Sequence, residues 1–109
     1  MSVIEKAIQH FSSKERREIH VPEWDVTLFT RNLTLENKGN WLKRADGDST
    51  EYMVYAVIYG LEDEEGNPAF DVGDKLQLKN HVDPDVVTRL ATFVLETSGA
   101  TEEDREKNL

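Results

Sequence analysis

One segment sets the problem this chain has to solve. Val26, Leu28 and Thr30 alternate with Thr27, Phe29 and Arg31, the period of a strand with two unlike faces. Pro22 lies just upstream and has no amide to donate, which suits a strand entry or a sheet edge. Ile19 and Val21 flank His20 in a second brief alternation, so the residues near 18–31 predict a small antiparallel hairpin turning around Glu23-Trp24-Asp25. A hairpin alone is at best marginally stable and needs a surface to pack on. The rest of the chain has to supply that surface, and its patterns are mostly helical.

Upstream, Val3, Ile4, Ala7, Ile8 and Phe11 fall at helical spacing behind Ser2, an N-cap residue type. Thr34 is placed to cap a second helix over 34–45, with Leu35, Trp41 and Leu42 toward one side and Gly39 weakening its middle. Residues 51–61 carry two readings. Val54, Val57, Ile58 and three tyrosines favour a strand by propensity, whereas Met53, Ala56, Val57, Gly60 and Leu61 make a helical stripe that Ser49 or Thr50 is placed to cap. Periodicity does not separate a buried helix from a buried strand, and helix is the expectation adopted.

Glu62 to Pro68 is an acidic turn that returns Phe70 to the core, and 71–79 predicts a short helix on Val72, Leu76 and Leu78. Asp83-Pro84-Asp85 is a strong helix start, followed by a stripe of Val86, Val87, Leu90, Phe93, Val94 and Thr97 and a stop at Gly99. The predicted fold is therefore α+β: one mostly helical domain over 1–99 with a small hairpin, and an acidic flexible tail over 100–109.

Composition excludes several classes of function. The 109 residues hold 38% hydrophobic and 32% charged side chains, so the expected core is thin and self-association would add to it. With no cysteine there is no disulfide, thiolate nucleophile or zinc-thiolate site. The net charge of −9 opposes direct nucleic-acid binding, which draws on basic surface. No apolar run approaches the ~18 residues that span a bilayer, and Glu5-Lys6 interrupts any signal-peptide pattern. A cytosolic protein without membrane contact is expected.

No grouping of residues reads as chemistry. His10, His20 and His81 are scattered and lack the i,i+4 spacing of a metal-binding helix. Asp46-Gly47-Asp48 and Glu62-Asp63-Glu64-Glu65-Gly66 are oxygen-rich but do not fit a calcium loop. There is no nucleophile elbow or phosphate-cradling loop. Neither enzyme activity nor a cofactor or metal is expected. The candidate contacts are instead aromatic. Trp24 lies in a polar turn, Trp41 in the second helix, and Tyr52, Tyr55 and Tyr59 recur at helical spacing. With Arg31 at the strand end, these six residues are the candidate partner-binding set.

The order of features resembles the tail assembly chaperones of long-tailed bacteriophages. The features carrying it are the short N-terminal helix, Ile19-His20-Val21-Pro22-Glu23-Trp24, and the strand ending Arg31-Asn32-Leu33-Thr34. The apolar segment running into Leu61-Glu62-Asp63-Glu64-Glu65-Gly66-Asn67-Pro68-Ala69-Phe70 follows, and then the last helix closing on Ser98-Gly99 before an acidic tail. The resemblance covers nearly the whole length and rests on order and spacing. It implies a protein that binds the tape measure protein, recruits tail tube subunits and acts in the host cytoplasm without entering the mature virion. It also implies a longer, frameshifted form that carries the tube-binding role. Glu106-Lys107-Asn108 permits the codons GAA-AAA-AAC, a slippery string near the end of the frame. The reading from another class is an acidic inhibitor, or nucleic-acid mimic, of a basic partner. That would gather the acidic residues on one face, whereas here they spread through turns and tail.

Overall fold

The computed structural model describes residues 2–97. At its centre is α3 (Ser49–Gly60), the segment whose sequence supports two periods. Seven of its twelve residues are buried, Tyr52, Val54, Tyr55, Ala56, Val57, Ile58 and Gly60. A helix covered on most sides has little polar face, and that is why its apolar run is nearly continuous. It is covered by α2 (Leu35–Ala45), α4 (Lys75–Asn80) and α5 (Pro84–Thr97). Its cap is Asp48, not Ser49 or Thr50: the Asp48 carboxylate accepts the Glu51 N–H at 2.8 Å. Ser49 and Thr50 fall inside the first turn.

The hairpin forms as expected. β1 (Glu18–Val21) pairs antiparallel with β2 (Val26–Thr30), in register from Glu18–Phe29 to Val21–Val26. The turn between them is closed by Trp24 N–H to the Val21 carbonyl at 3.1 Å, with Asp25 at a left-handed φ of 51°. The sequence pattern does not show a third strand. β3 (Leu61–Glu62) leaves the end of α3 directly and pairs with Phe29 and Thr30, giving the sheet order β1-β2-β3. Leu28 and Thr30 face the core, and the buried Thr30 hydroxyl accepts the Arg17 N–H at 2.8 Å. The hairpin thereby finds the surface it needs, on helices reached through a two-residue strand.

Two expectations about faces are corrected. Leu35 does not share the buried side of α2 with Trp41; it is exposed, while Trp41 and Ala45 are buried. It occupies the first helical position, and the residues of α2 that are buried, Trp41 and Ala45, lie in its second half. The segment at 71–79 divides into a 3₁₀ turn over Val72–Asp74, which Asp71 caps, and α4. Its buried residue is Leu78, while Val72 and Leu76 are exposed. The 3₁₀ turn shifts the helical phase, so a stripe counted from Val72 misses the buried side.

In α5, Val86, Val87, Leu90, Ala91, Val94 and Leu95 are buried and Phe93 is half-buried. The Asp83 side chain accepts the Asp85 N–H at 2.9 Å. The expected Gly99 stop and the 100–109 tail lie outside the described residues. Thr34 caps α2 through the Asn37 N–H at 3.0 Å. Gly39 lies on the exposed side of α2, and a Cβ there would meet nothing within 4 Å. Gly39→Ala is therefore expected to raise stability by about 0.5–1 kcal/mol. The check is a higher denaturation midpoint with an unchanged slope.

Candidate partner-binding surface

The aromatic residues singled out from the sequence separate into two environments. Trp41 and Tyr52 are fully buried and stack with ring centres 5.0 Å apart, and the Trp41 indole N–H donates to the Tyr52 carbonyl at 2.9 Å. Tyr55 is also buried and stacks on half-buried Tyr59 at 6.2 Å. A partner touching the folded surface does not reach Trp41 or Tyr52. Trp24 is half-buried and meets Phe70 edge-on at 6.3 Å, so the turn that carries it folds back on the core. Arg31 is half-buried and its N–H donates to the Gly60 carbonyl at 2.8 Å. The structure does not gather the six residues into one surface.

Three charged groupings organise the exterior. Glu23, beside Trp24, accepts from Arg89 of α5 at 2.7 Å. That hydrogen bond holds the Glu23 carboxyl below the usual glutamate range and raises Arg89. At the start of α3, one Glu51 oxygen receives both Lys75 at 3.0 Å and Lys79 at 3.3 Å, pinning α4 in place. The Lys75 ammonium is raised chiefly by Glu51, with Tyr55 adding to it. The third grouping is Arg16. It pairs with Glu62, donates to the Asp63 carbonyl at 3.0 Å and lies 4.6 Å over the Phe29 ring. These contacts fasten residues 13–17, the linker between the N-terminal helix and β1, to the sheet.

α1 (Val3–Ser12) is unlike the other long helices: none of its residues is buried. Ser2 caps it through the Glu5 N–H at 3.2 Å, and Asn32 donates to the Phe11 and Lys14 carbonyls at its far end. Sequence periodicity identifies its apolar stripe but does not say that the stripe is left bare. Near the hairpin, a cleft of about 590 Å³ lies between β2 and the acidic turn. Asp25, Val26, Leu28, Asp63, Glu64 and Glu65 line it together with His20. The turn is shaped by Asp63, whose carboxylate accepts the Glu65 and Asn67 N–H groups at 2.9 and 3.0 Å. Among the described residues no three His, Cys, Asp or Glu side chains are grouped to hold a metal ion. No helix there is long and apolar enough to cross a membrane. What the surface presents is a bare apolar helix, a mixed apolar and acidic cleft, and aromatic groups at the hairpin turn.

No family model matches the sequence, and no curated protein matches it. Among solved structures, the chain is similar to the bacteriophage HK97 tail assembly chaperone, with a TM-score of 0.56 and 20% sequence identity. The match covers 84% of this chain and 96% of that one. The likeness establishes a shared fold over most of this chain and nearly all of that one.

Proposed function

We propose that this protein is a phage tail assembly chaperone, a stoichiometric binding protein and not a catalyst. The observation that carries the reading is the fold shared with the HK97 tail assembly chaperone across 96% of that chain. The ordered sequence features that led to the same family support it independently. The client is the tape measure protein, held soluble in the host cytoplasm while tail tube subunits are gathered around it. Exposed apolar side chains on an acidic body suit that task. Apolar contact holds a client, and the −9 charge keeps the complex dispersed. In this reading Trp24, Arg31 and Tyr59 are the accessible members of the candidate set. A longer form, made by frameshifting at the codons for Glu106-Lys107-Asn108, carries the tube-binding role at high effective concentration. Self-association places several copies along one client.

The test is co-expression with a tape measure protein from the same genome. The expected result is that the client, insoluble alone, becomes soluble and elutes with the chaperone, and that truncation at Gly99 preserves this. A client that stays insoluble, with no chaperone bound, would overturn the proposal. Reading the DNA across codons 106–109 tests the two-form mechanism separately: it requires A-AAA-AAC followed by an open overlapping frame.

A further inference from the structure

α1 is ten residues long and buries none of them. Isolated helices shorter than about 12–15 residues are marginal in water, and packing of an apolar face is what normally sustains them. Here the face goes unused within the protomer: Val3, Ile4 and Ile8 are 84%, 66% and 59% exposed. Yet the helix is not left to swing. Asn32 holds its last carbonyls, and Arg16 ties the following linker to Glu62 and Asp63. The fold thus holds out an apolar arm.

The charge of the arm indicates what covers it. Residues 1–17 hold Lys6, Lys14, Arg16 and Arg17 against Glu5 and Glu15, a net of +2 in a chain of −9, which leaves −11 on the remainder. Among the described residues neither Lys6 nor Lys14 has an ion-pair partner, and neither do Asp25, Glu64 or Glu65 at the cleft. Val26 is the exposed apolar residue of that cleft, at 39%. One surface therefore offers an apolar stripe with unpaired cations, and another offers a cleft with Val26 exposed among unpaired carboxylates.

We propose that the α1 arm of one copy docks in the cleft between β2 and the acidic turn of a second copy. This gives a surface to the self-association put forward above and rests on that reading. Val3, Ile4 and Ile8 cover Val26, while Lys6 and Lys14 meet the rim carboxylates. Because arm and cleft are different surfaces, the contact is heterologous: copies join head to tail, into a closed ring or an open array.

The experiment is sedimentation of the full chain, without client, at low and high salt. It is run with Ile8→Glu, with the double variant Glu64→Lys and Glu65→Lys, and with the two mixed. The wild type is expected to self-associate, with affinity falling by about tenfold or more as salt screens the rim charges. Each variant alone is expected to be monomeric. The mixture keeps one intact arm and one intact cleft, so it is expected to form dimers and nothing larger. Ile8 is exposed and lies outside the core cluster, so Ile8→Glu should keep the wild-type melting temperature; Ile4→Glu repeats the test on the same stripe. A monomeric wild type, association unaffected by either variant, or a mixture that stays monomeric while the wild type associates would each overturn the proposal. Failure here leaves client solubilisation to be judged separately, since no client is present.

Discussion

Replacing Trp41 by alanine is expected to remove about 3–5 kcal/mol of stability, the range for truncating a fully buried tryptophan. Trp41 has no exposed surface, and its ring lies 20° from parallel with Tyr52, joining α2 to α3. The deletion leaves a cavity against the most buried helix of the fold and removes the indole donor that reaches the Tyr52 carbonyl. A domain of this size has only about 5–15 kcal/mol in total, so the variant loses a large part of it. Chemical denaturation reads the effect as a lower midpoint at constant slope. Trp41→Phe keeps an aromatic ring on Tyr52 and deletes the hydrogen bond, so it should fall well short of the alanine loss. If alanine at 41 cost less than 1 kcal/mol, the α2–α3 contact would not be the rigid joint described. Any loss of client binding in Trp41→Ala is expected to track unfolding, because the indole lies beneath the surface.

Gly60→Ala is expected to cost about 1–3 kcal/mol, although the change adds one methyl group. Gly60 ends α3 where the chain turns into β3, and its carbonyl accepts the Arg31 N–H. A Cβ there would run into the Val94 side chain of α5, well inside van der Waals distance. The obstacle is the branched part of a buried residue, so α5 or the strand exit has to shift. Valine at 60 should cost more. Gly60→Ala combined with Val94→Ala provides the control. If the clash is the cause, the double variant is more stable than the sum of the single losses allows, as a positive coupling between neighbours. Strict additivity would place the cost in the α3–β3 turn instead.

The two glycines named from the α2 and α3 patterns show how far local reasoning extends. Gly39 and Gly60 both lie within helices, and helix propensity predicts the same gain from alanine at each. The expected signs are opposite because Gly39 faces open space and Gly60 faces Val94. No feature of residues 49–61 announces that contact, since its other half lies more than thirty residues downstream.

The same division runs through the surface. The apolar period of α1 is plain in the sequence and would suit a core helix equally well. That it stands bare depends on where residues 13–17 are fastened, by Arg16, Arg17 and Asn32 to groups on β2, β3 and the loops beside them. Trp41 and Trp24 look alike as candidate anchors in sequence, yet one is sealed against Tyr52 and the other lies half-buried beside Phe70. The cleft at β2 joins residues near 25 with residues near 64, which no spacing rule connects.

By itself, the sequence determined the features set within three or four residues of one another. These are the Ser2 and Thr34 caps, the Asp83-Pro84 helix start, the hairpin around Glu23-Trp24-Asp25 and the helical majority of an α+β chain. Such features depend on hydrogen bonds and torsions that the neighbouring residues supply, so they can be read from order alone. Only the tertiary structure decided that 49–60 is a helix buried over most of its length, that Leu61–Glu62 completes the sheet, and which apolar residues stay in water. Burial is a property of what lies opposite a residue, and what lies opposite comes from elsewhere in the chain.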